Sequence, residues 1–318
     1  MKILANDGIA PAGVELLEKN GFTVVTEKVE QDDLIEAINN ENYVGLLVRS
    51  ATKVRQNIID ACPGLELIGR GGVGMDNIDV DYARSKGLHV INTPAASSQS
   101  VAELVMGQLF SISRGLYDAS LNMPSKGASD FKVLKKKYAK GVELRGKTIA
   151  IVGFGRIGQS LASYALGCGM KVIAVDSNSY TARIPVVVNG QTINVEIATN
   201  TDMNAVLPQA DYISLHVPKQ SNGGAVIGAA ELSKMKAGVR IVNAARGGVI
   251  DEDAILEAVN SGKVAAAALD VFENEPTPRE DLLKANNIAS TPHIGAATVE
   301  AQDRIGEELA NQIIELLK

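Results

Sequence analysis

The segment from Lys147 to Asp176 constrains the fold of this chain more than any other part of it. It reads KTIAIVGFGRIGQSLASYALGCGMKVIAVD, in which a buried-strand pattern runs directly into Gly153, Gly155 and Gly158. An apolar-periodic helix and a second strand pattern follow. Glycines at this spacing permit a tight turn, close approach of the backbone to a diphosphate, and close packing of the helix on the strand. The segment therefore predicts a dinucleotide-binding βαβ unit.

The acidic residue that ends the second strand indicates which dinucleotide this unit binds. The Asp176 carboxylate can accept hydrogen bonds from the ribose hydroxyls of NAD, and it would repel the additional 2′-phosphate of NADP. Positions 177 and 178 carry no arginine, and Arg183 is the nearest one that could favour NADP. We therefore expect NAD. The alternative interpretation is a glycine-rich turn in an ordinary αβ unit with a surface aspartate.

Composition limits the classes of protein to which the chain can belong. Its 318 residues, 46% hydrophobic and 21% charged, are typical of a globular protein of about two domains. The net charge of −6 argues against general affinity for nucleic acids or membrane surfaces. The first residues lack the apolar core of a signal peptide, and no apolar run reaches the ~18 residues that span a bilayer. Cys62 and Cys168 form neither a disulfide framework nor a metal-binding pattern, so we expect a cytoplasmic protein without a metal.

Strand and helix patterns alternate along most of the chain. This alternation predicts an α/β fold with two Rossmann-like, doubly wound parallel-sheet domains and a cleft between them. Residues 1–98 plus 293–318 are expected to form a discontinuous substrate-binding domain, and residues 99–292 the NAD-binding domain. Within the latter, residues 185–197 read PVVVNGQTINVEI, which predicts a β-hairpin around Asn189-Gly190 near the adenosine end of the cofactor.

Enzymatic oxidation of an alcohol with a nicotinamide cofactor requires a base for the hydroxyl proton and a cation for the substrate's negative charge. Only His89, His216 and His293 can supply an imidazole. His293 lies in STPHIGAAT, between a strand and a helix, and is the candidate acid-base residue; a structural capping role is the alternative. His216 ends a strand and is expected to line the cofactor cleft, and His89 is expected to be structural.

An arginine and a glutamate complete this candidate set. Arg246 lies in IVNAARGGVID, where a guanidinium can hold a carboxylate through two parallel hydrogen bonds. Glu275 lies in LDVFENEP, where a carboxylate can fix the tautomer of an imidazole. A loop arginine or glutamate is most often a member of a surface ion pair. Each of these follows a predicted strand, however, and the carboxyl ends of such strands form the binding crevice.

Blocks of sequence along nearly the whole chain resemble one family, the D-2-hydroxyacid dehydrogenases. They are VRSATKV (48–54), GRGGVGMDNID (69–79), SVAELVMG (100–107), VGFGRIG (152–158), NAARGGVID (243–251), ALDVFENEP (268–276) and TPHIGAAT (291–298). The resemblance implies that Arg246, Glu275 and His293 are catalytic and that the enzyme is a homodimer or a higher homo-oligomer. It implies a cofactor site formed by Gly153, Gly155, Arg156, Ile157, Gly158, Asp176, His216, Val217, Pro218, Ala244, Ala245, Asp270, Gly295 and Ala296.

The resemblance also implies a substrate class. VRSATKV, GRGGVGMDNID and the basic segment KVLKKKY (132–138) are similar to members that oxidise a phosphorylated 2-hydroxy acid. The backbone of Val73 and Gly74 should receive its carboxylate together with Arg246. The phosphate requires positive charge, for which the candidates are Arg49, Lys53, Arg70 and the lysines at 135–137.

Other readings remain open for the function. A relative that reduces glyoxylate, hydroxypyruvate or pyruvate is the near alternative, and an NAD(H)-sensing scaffold like the corepressors that share this fold is the distant one. Because the sequence ends at Lys318, we expect no C-terminal regulatory domain of the kind that longer relatives carry.

Overall fold

The computed structural model describes residues 1–220 and 223–318. The chain divides into two compact units, one formed by Met1–Ser100 with Ala296–Lys318 and the other by Val101–Gly295. No helix within the described ranges combines the length and the apolar character that a bilayer-spanning segment needs.

The first unit contains five strands and the helices that connect them. Its elements are β1 (Lys2–Ala5), α1 (Pro11–Lys19), β2 (Thr23–Val25), α2 (Leu34–Glu41), β3 (Tyr43–Val48), α3 (Gln56–Ala61), β4 (Leu67–Arg70), α4 (Val80–Ser85) and β5 (His89–Asn92). Helix α5 (Ser98–Arg114) then leads into the second unit.

The second unit contains the predicted nucleotide-binding segment. Its elements are α6 (Leu116–Lys137), β6 (Thr148–Val152), α7 (Arg156–Gly167), β7 (Lys171–Val175), β8 (Thr181–Val188), β9 (Gln191–Asn200), α8 (Met203–Val206), β10 (Tyr212–Leu215), α9 (Ala229–Lys234), β11 (Val239–Asn243), α10 (Glu252–Asn260), β12 (Val264–Leu269), α11 (Glu280–Leu283) and β13 (Ile288–Ser290). Helix α12 (Val299–Leu317) follows and belongs to the first unit.

The sheet of the first unit is parallel throughout, in the order β2-β1-β3-β4-β5. Successive strand residues pack into separate apolar layers, Leu4 and Leu46 into one and Ile3 and Leu47 into the other, because side chains alternate between the faces of a sheet. Burial on both faces is the usual state of a parallel sheet. Helix α12 covers one of the faces and lies against α1.

The second sheet has eight strands, in the order β13-β12-β11-β10-β6-β7-β9-β8. All neighbours are parallel except β8 and β9, which are antiparallel. The order in which strands are added to the sheet reverses at β6: β7 lies on one side of β6, and β10 lies on the other side. A sheet of this kind binds ligands at such a switch point, beyond the carboxyl ends of its strands.

The predicted hairpin is confirmed and is longer than the sequence pattern suggested. Strands β8 and β9 pair from Thr181↔Ala198 to Val188↔Gln191 around a turn in which Asn189 has φ 49° and Gly190 φ 76°. Two positive φ values fit the tight turn that Asn-Gly favours. The side chains of Ala182, Ile184 and Val186 are buried, so one face of β8 extends the core of the unit.

Candidate functional site

The glycine-rich loop between β6 and α7 is shaped by close backbone contacts. A Cβ atom at Gly153, where φ is +90°, would lie 2.4 Å from the carbonyl oxygen of His216. A Cβ at Gly158 would lie 2.4 Å from the carbonyl oxygen of Gly153. Gly155, in contrast, is exposed, and a Cβ there would meet no described atom within 4 Å. The loop therefore packs tightly at Gly153 and Gly158. Its backbone is accessible at Gly155, immediately before α7 begins at Arg156.

Asp176 and Tyr180 hold this loop through the Phe154 peptide. Asp176 Oδ2 accepts the Phe154 N–H at 2.9 Å, and the Tyr180 hydroxyl donates to the Phe154 carbonyl oxygen at 2.7 Å. Asp176 Oδ1 accepts a longer bond from the Asn178 N–H, at 3.3 Å. The sequence alone does not indicate Tyr180, because a contact between a side chain and a distant carbonyl leaves no periodic pattern.

These residues fit NAD. The open backbone at Gly155 and the N-terminus of α7, which no described side chain caps, provide N–H groups and a favourable dipole for a diphosphate. Asp176 is partly exposed at the end of β7, where a ribose would lie. Arg183, the residue that could favour NADP, is exposed on β8 opposite Glu196 in the strand register.

The segment that follows β10 carries the predicted residues His216, Val217 and Pro218. The His216 Nε2 lies 2.9 Å from Ser214 Oγ, while its Nδ1 is buried without a partner among the described residues. Burial lowers the pKa of His216 to about 4, so its imidazole is neutral at pH 7. Val217 is partly buried, and its Cγ1 would lie 2.9 Å from a Cβ at Gly153. This segment therefore packs against the glycine-rich loop.

The loop that follows β11 carries Ala244, Ala245 and Arg246. The buried Asn243 shapes it by accepting the Ala245 N–H at 3.1 Å and donating to the Arg246 carbonyl oxygen at 3.0 Å. Arg246 is partly buried, and its Nη1 donates to the Ala245 carbonyl oxygen at 2.6 Å. The guanidinium is thus held close to the end of its own strand.

Asp270, at the end of β12, holds the loop that carries His293. Its carboxylate is 1% exposed and accepts bonds from Thr291 Oγ1 at 2.6 Å and from the N–H groups of Ile294 and Gly295, both at 2.9 Å. His293 has φ +55°, in the left-handed region that non-glycine residues seldom adopt. Because such a conformation is costly, it persists only where neighbouring contacts impose it.

Glu275 and His293 form a hydrogen-bonded pair. Glu275 Oε2 lies 2.7 Å from His293 Nδ1, and Glu275 Oε1 accepts the Phe272 N–H at 3.0 Å. The side chains are 34% and 40% exposed respectively. A carboxylate on Nδ1 fixes the imidazole tautomer and leaves Nε2 able to accept a proton. Arg246, Glu275 and His293 follow β11, β12 and β13, which are neighbours in the sheet.

The predicted substrate residues Arg49, Val73 and Gly74 lie in the first unit, beyond the ends of β3 and β4. Asn92 Nδ2 donates to the Val73 carbonyl oxygen at 2.7 Å, and Thr93 Oγ1 accepts the Gly72 N–H at 2.8 Å. Arg49 is partly buried.

The remaining predicted residues lie in different places. Ala296 begins the second segment of the first unit, whereas Gly295 ends the second unit. The lysines at 135–137 occupy the last turn of α6, where Lys137 forms an ion pair with Asp118 at 2.5 Å. Within residues 1–220 and 223–318, no group of three or more His, Cys, Asp or Glu side chains is arranged to hold a metal ion.

The fold and the site define an α/β oxidoreductase that binds NAD. Residues 106–295 match the model of the D-isomer specific 2-hydroxyacid dehydrogenase, NAD binding domain. The chain belongs to this family. The predicted fold class, family, enzyme class and cofactor are therefore confirmed.

Similar proteins carry more than one name. The chain is 43% identical over 320 residues to a hydroxypyruvate reductase of Thermotoga maritima, covering 99% of this chain and 98% of that one. It is 41% identical to a D-3-phosphoglycerate dehydrogenase of Methanocaldococcus jannaschii, covering 100% of this chain and 58% of the longer relative. Among solved structures, NAD⁺-bound 3-phosphoglycerate dehydrogenase of Entamoeba histolytica aligns with a TM-score of 0.78 at 28% identity, covering 100% of this chain and 95% of that one.

Proposed function

We propose that the chain is an NAD-dependent D-3-phosphoglycerate dehydrogenase, which oxidises 3-phospho-D-glycerate to 3-phosphohydroxypyruvate for serine biosynthesis. The observation that carries the reaction is the 2.7 Å contact between His293 Nδ1 and Glu275 Oε2. It leaves Nε2 to take the proton of the C2 hydroxyl during oxidation and to return it during reduction. Glu275 stabilises the imidazolium that forms.

The cofactor supplies the acceptor for the C2 hydride. In this proposal the loop at Gly153, Gly155 and Gly158, with Arg156 and Ile157, holds its diphosphate, and Asp176 holds its ribose. Val217 and Pro218 line the adenosine side, while Ala244, Ala245 and Asp270 flank the nicotinamide. The support is the open backbone at Gly155 and the carboxylate at the end of β7.

Arg246 is proposed to hold the substrate carboxylate and to polarise the developing carbonyl. Its planar guanidinium suits two parallel bonds to a carboxylate, and the Asn243 contacts restrict the loop that presents it. The Val73 and Gly74 backbone is proposed to receive the same carboxylate. A loop tied down by Asn92 and Thr93 supports that role, because a fixed binding group needs little reorganisation.

Positive charge for the substrate phosphate is proposed to come from Arg49, Lys53 and Arg70. Arg70 lies against the carboxylate-binding loop, since a Cβ at Gly72 would be 2.1 Å from Arg70 Nη1. Arg55, two residues from Lys53, is instead bonded to Asp79 at 2.8 Å and to the Asp76 carbonyl oxygen at 2.9 Å. The lysines at 135–137, a compact basic run in the sequence, are proposed to contribute from a second subunit.

The second candidate function is reduction of an unphosphorylated 2-keto acid. The relative named hydroxypyruvate reductase favours it, because that protein and this chain match over almost the full length of both. The catalytic set would be the same, and only the groups around the phosphate would differ.

Substrate preference separates the two functions. We would measure oxidation of NADH with phosphohydroxypyruvate, hydroxypyruvate, pyruvate and glyoxylate, and compare kcat/KM for wild type, Arg49→Gln and the control Arg55→Gln. The proposal requires that wild type prefers phosphohydroxypyruvate and that Arg49→Gln lowers this preference about 10-fold or more, as loss of a charge-assisted bond does. Arg55→Gln should leave it unchanged. Higher kcat/KM with an unphosphorylated acid would overturn the phosphoglycerate assignment.

We also propose that the protein forms a homodimer and is located in the cytoplasm. Helix α6 exposes large apolar side chains, including Leu121 at 61%, Phe131 at 57% and Val133 at 66%. Exposed apolar surface of this kind is typical of an interface, and light scattering on the purified protein would give its mass. The thiols of Cys62 and Cys168 are free, as in a reducing compartment.

A further inference from the structure

A buried carboxylate outside the predicted catalytic set lies close to it. Glu252 is the first residue of α10, and it is 6% exposed. Acidic residues at helix starts are ordinarily exposed, where the helix dipole favours them without any loss of hydration. Burial of a carboxylate is costly unless hydrogen bonds compensate for the lost water. Glu252 therefore requires an explanation beyond helix initiation.

The contacts of Glu252 point to the loop after β12. Its Oε1 accepts the N–H of Glu273 at 2.8 Å. Its Oε2 is buried and has no hydrogen-bond partner among the described residues. Burial raises the pKa of the carboxyl group, as expected where the charged form is poorly solvated. The side chain acts on this loop through one accepted hydrogen bond.

That hydrogen bond falls on the Phe272–Glu273 peptide, which directly follows the peptide whose N–H holds Glu275. The N–H of Phe272 donates to Glu275 Oε1 at 3.0 Å, and Glu275 Oε2 contacts His293 Nδ1 at 2.7 Å. The carbonyl side of the Phe272–Glu273 peptide meets the loop after β11, because a Cβ at Gly247 would lie 1.8 Å from the Phe272 carbonyl oxygen. The Phe272–Glu273 peptide thus lies between Glu252 and the residue next to Arg246.

We propose that Glu252 is a positioning residue of the active site. By accepting the Glu273 N–H, it fixes the Phe272–Glu273 peptide against Gly247 and so sets the place of the Glu275 carboxylate relative to His293. The inference rests on the proposed acid-base role of His293 and Glu275. Since a displacement of about 1 Å in a catalytic group can cost up to 10²-fold in rate, one buried acceptor at this peptide is enough to matter.

Two substitutions separate this role from a contribution to stability alone. Glu252→Gln keeps an oxygen that can accept the Glu273 N–H, and Glu252→Met keeps the length of the side chain but removes the acceptor. The control is Asp211→Leu: Asp211 lies just before β10, accepts the Thr148 N–H at the start of β6 through Oδ2 at 2.9 Å, and forms an ion pair with Lys236 at 2.8 Å. Glu275→Gln is measured alongside.

The first readout is the tautomer of His293, taken from the ring ¹⁵N chemical shifts. The chain has only three histidines, so the resonances can be assigned by substitution. Wild type and Glu252→Gln should show one neutral tautomer, protonated on Nδ1, whereas Glu252→Met and Glu275→Gln should show a mixture. The control should lose thermal stability but keep the single tautomer.

The second readout is NADH oxidation with phosphohydroxypyruvate and with hydroxypyruvate. Glu252→Met should lose about 10-fold or more in kcat, with the NADH Kd unchanged, and Glu252→Gln should recover most of that loss. A single tautomer with wild-type kcat in Glu252→Met would overturn the proposal, and so would equal damage in Glu252→Gln. A wild-type tautomer and kcat in Glu275→Gln would instead refute the acid-base pair itself, and the inference with it.

Discussion

Asp270 holds the loop on both sides of His293, through the Thr291 side chain and the Ile294 backbone, while Glu275 holds the imidazole itself. The Asp270 carboxylate accepts bonds from Thr291 Oγ1 before the histidine and from the Ile294 N–H after it. The ring and the backbone of His293 are therefore restrained by different carboxylates, and their contributions can be separated by mutation.

Replacement of the proposed base should remove turnover and leave cofactor binding intact. His293→Gln is expected to lower kcat by about 10²-fold or more, the usual scale for loss of general acid–base catalysis. Its NADH Kd, measured by fluorescence titration, should stay within about twofold, because no proposed diphosphate or ribose contact involves this side chain. Near-normal turnover would show that the base is another residue.

Removal of the Asp270 carboxylate should lower both the free energy of unfolding and kcat. Asp270→Ala leaves three donors without their acceptor and releases His293 from its left-handed conformation. We expect a loss of several kcal/mol in the free energy of unfolding, since each bond to a charged group contributes about 1.5–3 kcal/mol. We also expect kcat to fall by about 10-fold or more. Urea unfolding and steady-state kinetics measure the two effects, and unchanged kcat would exclude a role for the loop geometry.

The cofactor preference should depend on the charge of Asp176. Asp176→Asn keeps an oxygen for the Phe154 N–H and removes the charge that repels the 2′-phosphate of NADP. The ratio of kcat/KM with NAD to that with NADP is expected to fall by about 10-fold, the equivalent of 1.4 kcal/mol. Asp202→Asn, at the helix cap of α8, is the control. An unaltered ratio in Asp176→Asn would assign the discrimination elsewhere.

Tyr180 should contribute to cofactor affinity through the shape of the glycine-rich loop. Tyr180→Phe removes the bond to the Phe154 carbonyl oxygen, and a net loss of about 1 kcal/mol would raise the NADH Kd about fivefold. The change in kcat should be small. Tyr82→Phe, which loses a hydroxyl bonded to Asp60 in the first unit, is the matched control. Equal Kd values for the two variants would contradict the prediction.

His216 should make the chain less stable in mild acid. Its native pKa is about 4 and its ordinary value is 6.5, so between these pH values the unfolded chain binds more protons than the native one. Stability from this group is therefore complete above pH 6.5 and is lost as the pH falls towards 4. His216→Gln should flatten this part of the curve of unfolding free energy against pH. A curve as steep as that of wild type would show that other groups cause the loss.

The placement of the predicted residues could be read from the sequence because the relevant signals are local. Gly153 and Asp176 directly follow a strand, Arg246 and His293 lie three residues beyond one, and parallel strands bring their carboxyl ends to one edge. The hairpin was likewise predictable from Asn189-Gly190, although its strands run further than the alternation suggested.

The restraints on these residues could not be predicted in the same way. Asp270 acts on a loop that follows it by more than 20 residues, and Tyr180 acts on a carbonyl 26 residues earlier. Glu252 reads as an ordinary helix start, and only its burial distinguishes it. Such contacts depend on which strands are neighbours in the sheet and on how their loops pack. Neither periodicity nor glycine spacing in the sequence indicates this packing.

The outer edge of the hairpin bears on the tendency of the chain to aggregate. Strand β8 is the last of its sheet, a position that can recruit a strand from another molecule. Pro185 has no N–H to offer an incoming strand, and its carbonyl oxygen already accepts a bond from Ser163 Oγ at 2.5 Å. The edge is thus blocked at its middle, which disfavours pairing of the two added antiparallel strands with a strand of another molecule.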